Sequence, residues 1–283
     1  MRRLHTIPGS QVLSALPVLP LPNVVLLPGM MLPLNVHEPR YLALVDFVRQ
    51  TGQHIGVPLL RPVVSAPPLL PLPAAGPSLG PSMPIMPVMP VMPVMPIMPI
   101  MPIMPTTPIM TDSAVCPIEP VMGIGRLVFH LALPDGRRII RLEGVGRVRL
   151  QREQPTHRGF RELSVTPLGE PQPADLAQMQ SLRGQVERLA GHCGDDRDSL
   201  LSLLGLRDDR VFLYSLTAFL PSLELLACDI REWVHDDQLL VSLQQRSLAA
   251  EDADARARFL LERTEAILDR IREQTQARGA MLN

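Results

Sequence analysis

One segment near the start of the chain restricts the possible folds more than any other. It contains two short apolar runs, 24–27 and 30–34, separated by the turn-forming dipeptide Pro28-Gly29. Each run is bounded by chain-breaking residues, which favours buried strands over helices. Pro39 then takes a favoured first position of a helix, apolar residues follow it at helical spacing, and Gly52 can end the helix. The segment therefore predicts the order strand, tight turn, strand, helix.

A second β region is predicted after residue 120, beyond a third short strand at 54–60. Residues 121–133 contain alternating apolar positions, 134–136 form the turn Pro-Asp-Gly, and a return strand and a last strand at 160–168 follow. Gly144 and Gly146 interrupt the return strand, so we expect a bulge or sharp bend there. The return strand is predicted to have an apolar face and a charged face: Ile140, Leu142, Val148 and Leu150 against Arg141, Glu143, Arg147 and Arg149.

From residue 174 onward the apolar period becomes helical. We expect one helix to stop at Pro221, and Ser222 to cap the next. The predicted helices are 174–189, 199–204, 208–220, 222–234, 236–245 and 251–278.

These motifs resemble the N-terminal substrate-binding domain of the Lon protease family. The resemblance implies an α+β fold, in which a β-rich, PUA-like pseudo-barrel precedes a C-terminal helical bundle with a long terminal helix. The expected divisions are a loose leader (1–16), a β-rich subdomain (17–168) with an insertion (62–117), and a helical bundle (169–283). The matching motifs are Leu21-Pro-Asn-Val-Val-Leu26, Pro28-Gly29, Leu32-Pro-Leu34, Glu38-Pro-Arg-Tyr41, Gly125-Arg-Leu127, Leu133-Pro-Asp-Gly-Arg137 and Leu142-Glu-Gly-Val-Gly-Arg-Val-Arg-Leu150.

The insertion contains a run of Met-Pro-Ile and Met-Pro-Val tripeptides from Met83 to about residue 106. Proline at every third position forbids a membrane-spanning helix and matches the period of polyproline II. We expect a low-complexity loop; a docking ligand for an aromatic groove and a copper(I) site are the less favoured alternatives.

The charged residues exclude several enzyme classes. All 27 basic residues are Arg, so the chain has neither the lysine of a P-loop nor that of a Ser–Lys dyad. No Gly-x-Ser-x-Gly elbow or metal-ligand spacing is present. The prediction is a stand-alone member of the family without ATPase or peptidase domains, with no catalytic residues, metal or cofactor. The three separated cysteines and the lack of a signal peptide predict a cytoplasmic protein.

One surface carries asymmetric charge. Between Arg126 and Glu162 nine arginines stand against four acids. A solvated sheet face, recognition of acidic or unfolded peptides, and RNA binding all fit this pattern. The weakly predicted partner-binding face consists of Arg126, Arg141, Arg147 and Arg149.

The expected function is non-catalytic binding of unfolded or specific protein clients, as a substrate-recognition factor or adaptor for a protease. The alternative is an RNA-binding PUA-like module that uses the Arg-rich face. The scarcity of aromatic side chains, which are 3% of the chain, disfavours RNA binding, because bases stack on such side chains.

Overall fold

The computed structural model describes residues 12–61, 117–226 and 237–281, and the predicted Met-Pro insertion lies outside them. Six strands come first along the described chain, with helix α1 between the second and the third, and helices α2 to α6 follow. The elements are β1 (Leu13–Pro17), β2 (Met31–Val36), α1 (Pro39–Thr51), β3 (Ile55–Val57), β4 (Val121–Ala132), β5 (Arg138–Gln154), β6 (Glu162–Leu168), α2 (Leu176–Ala190), α3 (Arg197–Leu204), α4 (Asp209–Leu226), α5 (Asp237–Ala249) and α6 (Ala253–Met281).

The strands form one antiparallel sheet in the order β1-β6-β5-β4-β3, and β2 pairs with β5 beside this path. Parallel bridges from Val18 to Gly56 and from Leu21 to Leu59 connect the chain after β1 to the β3 edge. These bridges curl the sheet into a pseudo-barrel, as the resemblance implies. The α+β fold with a C-terminal helical bundle is confirmed.

Helix α1 closes one end of the barrel. Pro39 is its first residue, and Gly52 ends it in the left-handed conformation (φ 68°), so both predicted helix ends are confirmed. Its buried residues Leu44, Val45 and Val48 pack against apolar side chains of β2 and β5.

The predicted strand at 24–27 is wrong, because this segment pairs with no described strand and instead crosses the barrel. The carbonyl oxygens of Leu26 and Leu27 lie very close to two glycines of the sheet. A Cβ atom on Gly123 would lie 1.9 Å from the carbonyl oxygen of Leu26, and one on Gly144 would lie 2.1 Å from that of Leu27. Only glycine permits this approach. The predicted irregularity in β5 is confirmed, because Val145 is an extra residue between the pairs Gly144–Gly125 and Gly146–Ile124.

Two other predicted boundaries differ from the structure. The supposed leader contains β1, in which Leu13 pairs with Val165 and Leu16 with Leu163 of β6. Helix α4 does not stop at Pro221 but continues to Leu226, so Ser222 lies inside a helix and caps none.

Helices α2 to α6 form the second layer of the described chain around their own apolar core, to which Leu182, Leu216 and Leu260 contribute fully buried side chains. The last helix runs for 29 residues, which confirms the long terminal helix. Among the described residues, no helix has the length and apolar character that a membrane span requires.

Candidate functional site

The sheet exposes a cluster of large apolar side chains where β2, β5 and β4 lie side by side. Within residues 12–61, 117–226 and 237–281, five of the eight exposed large apolar residues gather here, each 37–47% exposed. Single exposed apolar residues are ordinary, whereas a contiguous cluster marks an interaction surface. We call this surface the outer patch, and it consists of Met31, Val128, Phe129, Leu131 and Ile139 together with Arg126 and Arg141.

Strand register gathers these residues on one face. Alternate residues of a strand point to the same side, so the pairing places three cross-strand rows on the outside of the sheet. With strands about 4.8 Å apart and alternate residues about 6.8 Å apart, the rows cover roughly 10 by 14 Å. From β2 through β5 to β4, the rows are Met31–Glu143–Arg126, Pro33–Arg141–Phe129 and Asn35–Ile139–Leu131.

A bulge in β4 determines which apolar residues face outward. The register shifts between Leu127 and Phe129, and Val128 is the additional residue. Leu127 therefore packs against the barrel core, whereas Phe129 and Leu131 turn toward solvent. Simple alternation along 121–133 predicts Leu127, Phe129 and Leu131 on one face, because it does not allow for a bulge. The available signal was the apolar character of both faces of 127–132.

The two arginines of the outer patch are in different electrostatic situations. Arg126 is paired with Glu143 at 2.6 Å. The Arg141 guanidinium lies 5.6 Å from the centroid of the Phe129 ring, in a cation–π contact. Arg141 forms no ion pair with any residue that the structure describes. Its charge is therefore available to a negatively charged partner.

A tight turn holds the β4–β5 hairpin that carries most of the outer patch. The Leu133 amide donates to the Arg137 carbonyl at 2.8 Å, and Gly136 takes the positive φ (85°) that the turn requires. The Asp135 carboxylate accepts from the Arg137 amide at 3.1 Å. The Pro-Asp-Gly turn is thus confirmed, and it fixes the register of the patch.

The predicted arginine face does not form one surface. Arg126 and Arg141 belong to the outer patch, but Arg147 is 1% exposed and cannot belong to an exposed face. Arg149 is exposed, and its cross-strand neighbours are Val121 of β4 and Thr166 of β6. It lies eight residues beyond Arg141, about 25 Å along the strand.

Arg147 is buried because the helices cover this part of the sheet. Its guanidinium donates to the carbonyl of Leu248, in the last turn of α5, at 2.8 Å and to the carbonyl of Glu251, just beyond α5, at 3.1 Å. It also forms an ion pair with Glu170. A cation is favourable at a helix C-terminus, where carbonyl groups lack intrahelical partners. Arg147 therefore joins the barrel to the helical layer.

Glu170 holds a second buried arginine in the same place. Arg256 of α6 lies 3.0 Å from the Glu170 carboxylate, and the Tyr214 hydroxyl donates to that carboxylate. Burial raises the pKa of the Tyr214 phenol and lowers that of the Arg147 guanidinium. The cluster is internal and its charged groups are paired with one another, so it contributes to the stability of the fold.

Most of the remaining arginine charge is neutralised locally. Six of the nine arginines between 126 and 161 have carboxylate partners, which leaves Arg141, Arg149 and Arg152 without an ion pair to the described residues. The structure therefore contains no continuous cationic stripe along β5.

Within the described residues, no group of three or more His, Cys, Asp or Glu side chains is placed to hold a metal ion. Cys193 is a free, buried thiol whose sulfur donates to the Leu189 carbonyl at 3.1 Å. Burial raises the pKa of this thiol, which is the opposite of what a reactive cysteine requires.

A pseudo-barrel with an exposed apolar face, followed by a helical bundle with a long last helix, defines an α+β protein that carries a candidate interaction surface. Residues 15–266 match the model of the ATP-dependent protease La (LON) substrate-binding domain. The chain belongs to this family.

Two solved structures share the fold. The Lon N-terminal domain protein from Xanthomonas campestris is 21% identical, with a TM-score of 0.50, and the match covers 88% of this chain and 98% of that one. The N-terminal domain of the Mycobacterium avium complex Lon protease is 12% identical, with a TM-score of 0.51 and coverage of 89% and 98%. No curated protein matches the chain.

Proposed function

We propose that this substrate-binding module recognises unfolded protein clients through the outer patch and presents them to a protease as a non-catalytic recognition factor or adaptor. The observation that carries the proposal is the clustering of exposed apolar residues on a sheet face that belongs to a substrate-binding family. Unfolded chains expose the apolar segments that native proteins bury, and such a face can cover them.

The arginines favour a protein client over RNA. A protein that binds single-stranded nucleic acid uses a continuous cationic groove for the phosphates and several aromatic side chains on which the bases stack. Six of the nine arginines in this region are paired, and Phe129 is the single aromatic member of the outer patch. The free thiol of Cys193 agrees with the predicted cytoplasmic location, which stays a prediction.

The test is fluorescence anisotropy of a labelled, permanently unfolded polypeptide titrated with the full chain. The variant is Phe129→Ser combined with Leu131→Ser, which removes apolar surface that is already exposed and so leaves the fold intact. The matched control is Leu176→Ser at the start of α2, because Leu176 is exposed but lies outside the outer patch. We expect the double variant to weaken binding at least about tenfold and the control to leave it unchanged.

Unlabelled RNA added as a competitor separates the two candidate functions. Client binding that RNA does not displace supports the proposal. Displacement by RNA, with an affinity that falls steeply as salt is raised, would instead place binding on the arginines. Equal affinities for the double variant and the control would exclude the outer patch as the client site.

A further inference from the structure

The outer patch ends at a strand edge with which no described strand pairs. Strand β3 pairs with β4 at residues 123–125 only. Beyond that point β4 has β5 on one side, and across residues 12–61, 117–226 and 237–281 no strand pairs with its other side. Half of the backbone N–H and C=O groups of 127–132 therefore point away from the sheet.

Apart from the bulge at Val128, this edge lacks the usual protection against pairing with another chain. Natural edge strands carry charged residues or proline, or are very short. Residues 127–132 of β4 read Leu-Val-Phe-His-Leu-Ala, with neither a proline nor a permanently charged residue. The bulge at Val128 twists the strand, but Phe129 and Leu131 remain exposed beside the edge. An edge of this kind is a template for strand addition.

Arginines surround the same edge. Arg126 stands on β4 where the open stretch begins and is close enough to affect the pKa of His54. Arg49 of α1 is half exposed, acts electrostatically on His130 of β4, and has only a 4.0 Å contact with Asp46. Arg141 completes the set on the outer face.

The acids that face this edge are already engaged. Asp46 is paired with Arg138, and Glu143 with Arg126. Of the described groups around the edge, the arginines therefore outnumber the acids. A second copy of the chain would bring its own arginines to the edge, so like charges disfavour self-pairing.

We infer that an extended client segment, apolar at alternate positions and flanked by acidic residues, adds to the open edge of β4 as an extra strand. This inference rests on the proposed function and specifies its mode of binding. Main-chain hydrogen bonds to 127–132 hold the segment. Its alternate apolar side chains extend the two cross-strand rows that contain Phe129 and Leu131. Six paired residues correspond to a client strand of about 20 Å.

The probes are labelled ten-residue peptides with a core of alternating valine and threonine, measured by anisotropy against the full chain. Three versions carry glutamate, glutamine or lysine pairs at both ends. Glutamate ends should bind about three- to fivefold tighter than glutamine ends, and lysine ends more weakly than both. Equal affinities for the three versions would overturn the acidic preference.

Backbone N-methylation of the glutamate-flanked peptide tests strand addition itself. One version is methylated at alternate odd positions and another at even positions, with side chains unchanged. Only one set of amides faces β4, so one version should lose binding at least about tenfold while the other keeps it. Equal retention or equal loss in both versions would overturn strand addition.

The unmethylated peptide distinguishes this inference from the proposed function. If it binds the chain and loses affinity with Phe129→Ser and Leu131→Ser, the outer patch is the client site whatever methylation does. If it binds with the same affinity to that double variant, the proposed function fails as well. Dimerisation of the chain without peptide, read by light scattering and reversed by the peptide, would show that a second copy of the chain occupies the edge and would overturn the inference.

Discussion

The guanidinium of Arg147 in β5 donates a hydrogen bond of 2.8 Å to the main-chain carbonyl of Leu248, at the end of α5. This bond joins two segments that are 101 residues apart in the sequence. A second bond, from Gln245 Nε2 to the Val121 carbonyl at 2.8 Å, joins α5 to β4. The barrel and the helical layer are thus held together by buried polar contacts as well as by apolar packing.

Removing the Arg147 side chain should destabilise the whole molecule. Arg147→Ala removes one of the two arginine partners of Glu170 and leaves the Leu248 and Glu251 carbonyls without this donor. Breaking a buried ion pair from one side costs about 3–5 kcal/mol. The measurement is the free energy of unfolding by urea. Arg149→Ala is the control, since Arg149 is exposed two residues further on, and it should stay within about 0.5 kcal/mol of wild type. Similar losses in the two variants would contradict the structural role of Arg147.

The close approach of residues 24–27 to the sheet gives a second prediction. Gly144→Ala would place a Cβ 2.1 Å from the Leu27 carbonyl oxygen, so the main chain must shift at a cost of about 1–3 kcal/mol or more. Gly184→Ala is the matched control in α2, where a Cβ meets nothing within 4 Å. This control should stabilise the protein by about 0.5–1 kcal/mol, because alanine favours a helix. Thermal unfolding that moves in the same direction for both variants would contradict the prediction.

Local patterns predicted the elements well where each element follows its own period. The α1 caps, the Pro-Asp-Gly turn and the glycine bulge of β5 all depend on the conformational needs of single residues, which the sequence displays directly. Helix α4 continues past Pro221 because Leu216, Leu220 and Leu223 are buried along it, and tertiary packing outweighs a local helix-breaking preference.

The candidate site was only half predictable, for two physical reasons. Burial of Arg147 depends on a helix a hundred residues away, and no local pattern reports such a contact. Exposure of Phe129 and Leu131 depends on the bulge at Val128, which reverses the alternation of β4 without any glycine to signal it. The arginine pattern thus predicted the correct sheet, but only the strand register of the structure identified the apolar residues of the outer patch.

Folding stability should decrease as the pH falls below about 6.5, in part through His54. Burial, aided by the nearby charge of Arg126, lowers the pKa of His54 below its usual value of 6.5. The unfolded state then binds more protons than the folded state, so stability is complete above the unfolded pKa and is lost as the pH falls toward the folded pKa. His130 contributes in the same direction, since burial also lowers its pKa.

Urea unfolding measured between about pH 7 and pH 5 tests this dependence. His54→Gln should make the free energy of unfolding less dependent on pH, because the titrating group is gone. His157→Gln is the control at an exposed position, and it should leave the pH profile of wild type unchanged. A His54→Gln profile parallel to that of wild type would show that other groups cause the acid sensitivity.

Charge reversal at two exposed arginines of β5, Arg141 and Arg149, distinguishes the outer patch from the rest of the predicted arginine face. Arg141 lies beside Phe129 and has no ion pair to a described residue, so Arg141→Glu should repel an acidic client. We expect about a tenfold slower association at low salt, with a smaller difference when salt screens the charges. Arg149→Glu changes the net charge equally, but Arg149 pairs with Val121 and Thr166 far from the patch. At an ionic strength of about 0.1 M it should alter association by less than about twofold, because a separation of about 25 Å exceeds the Debye length of about 10 Å. Equal effects of the two reversals would mean that clients respond to the total charge of the chain and not to the outer patch.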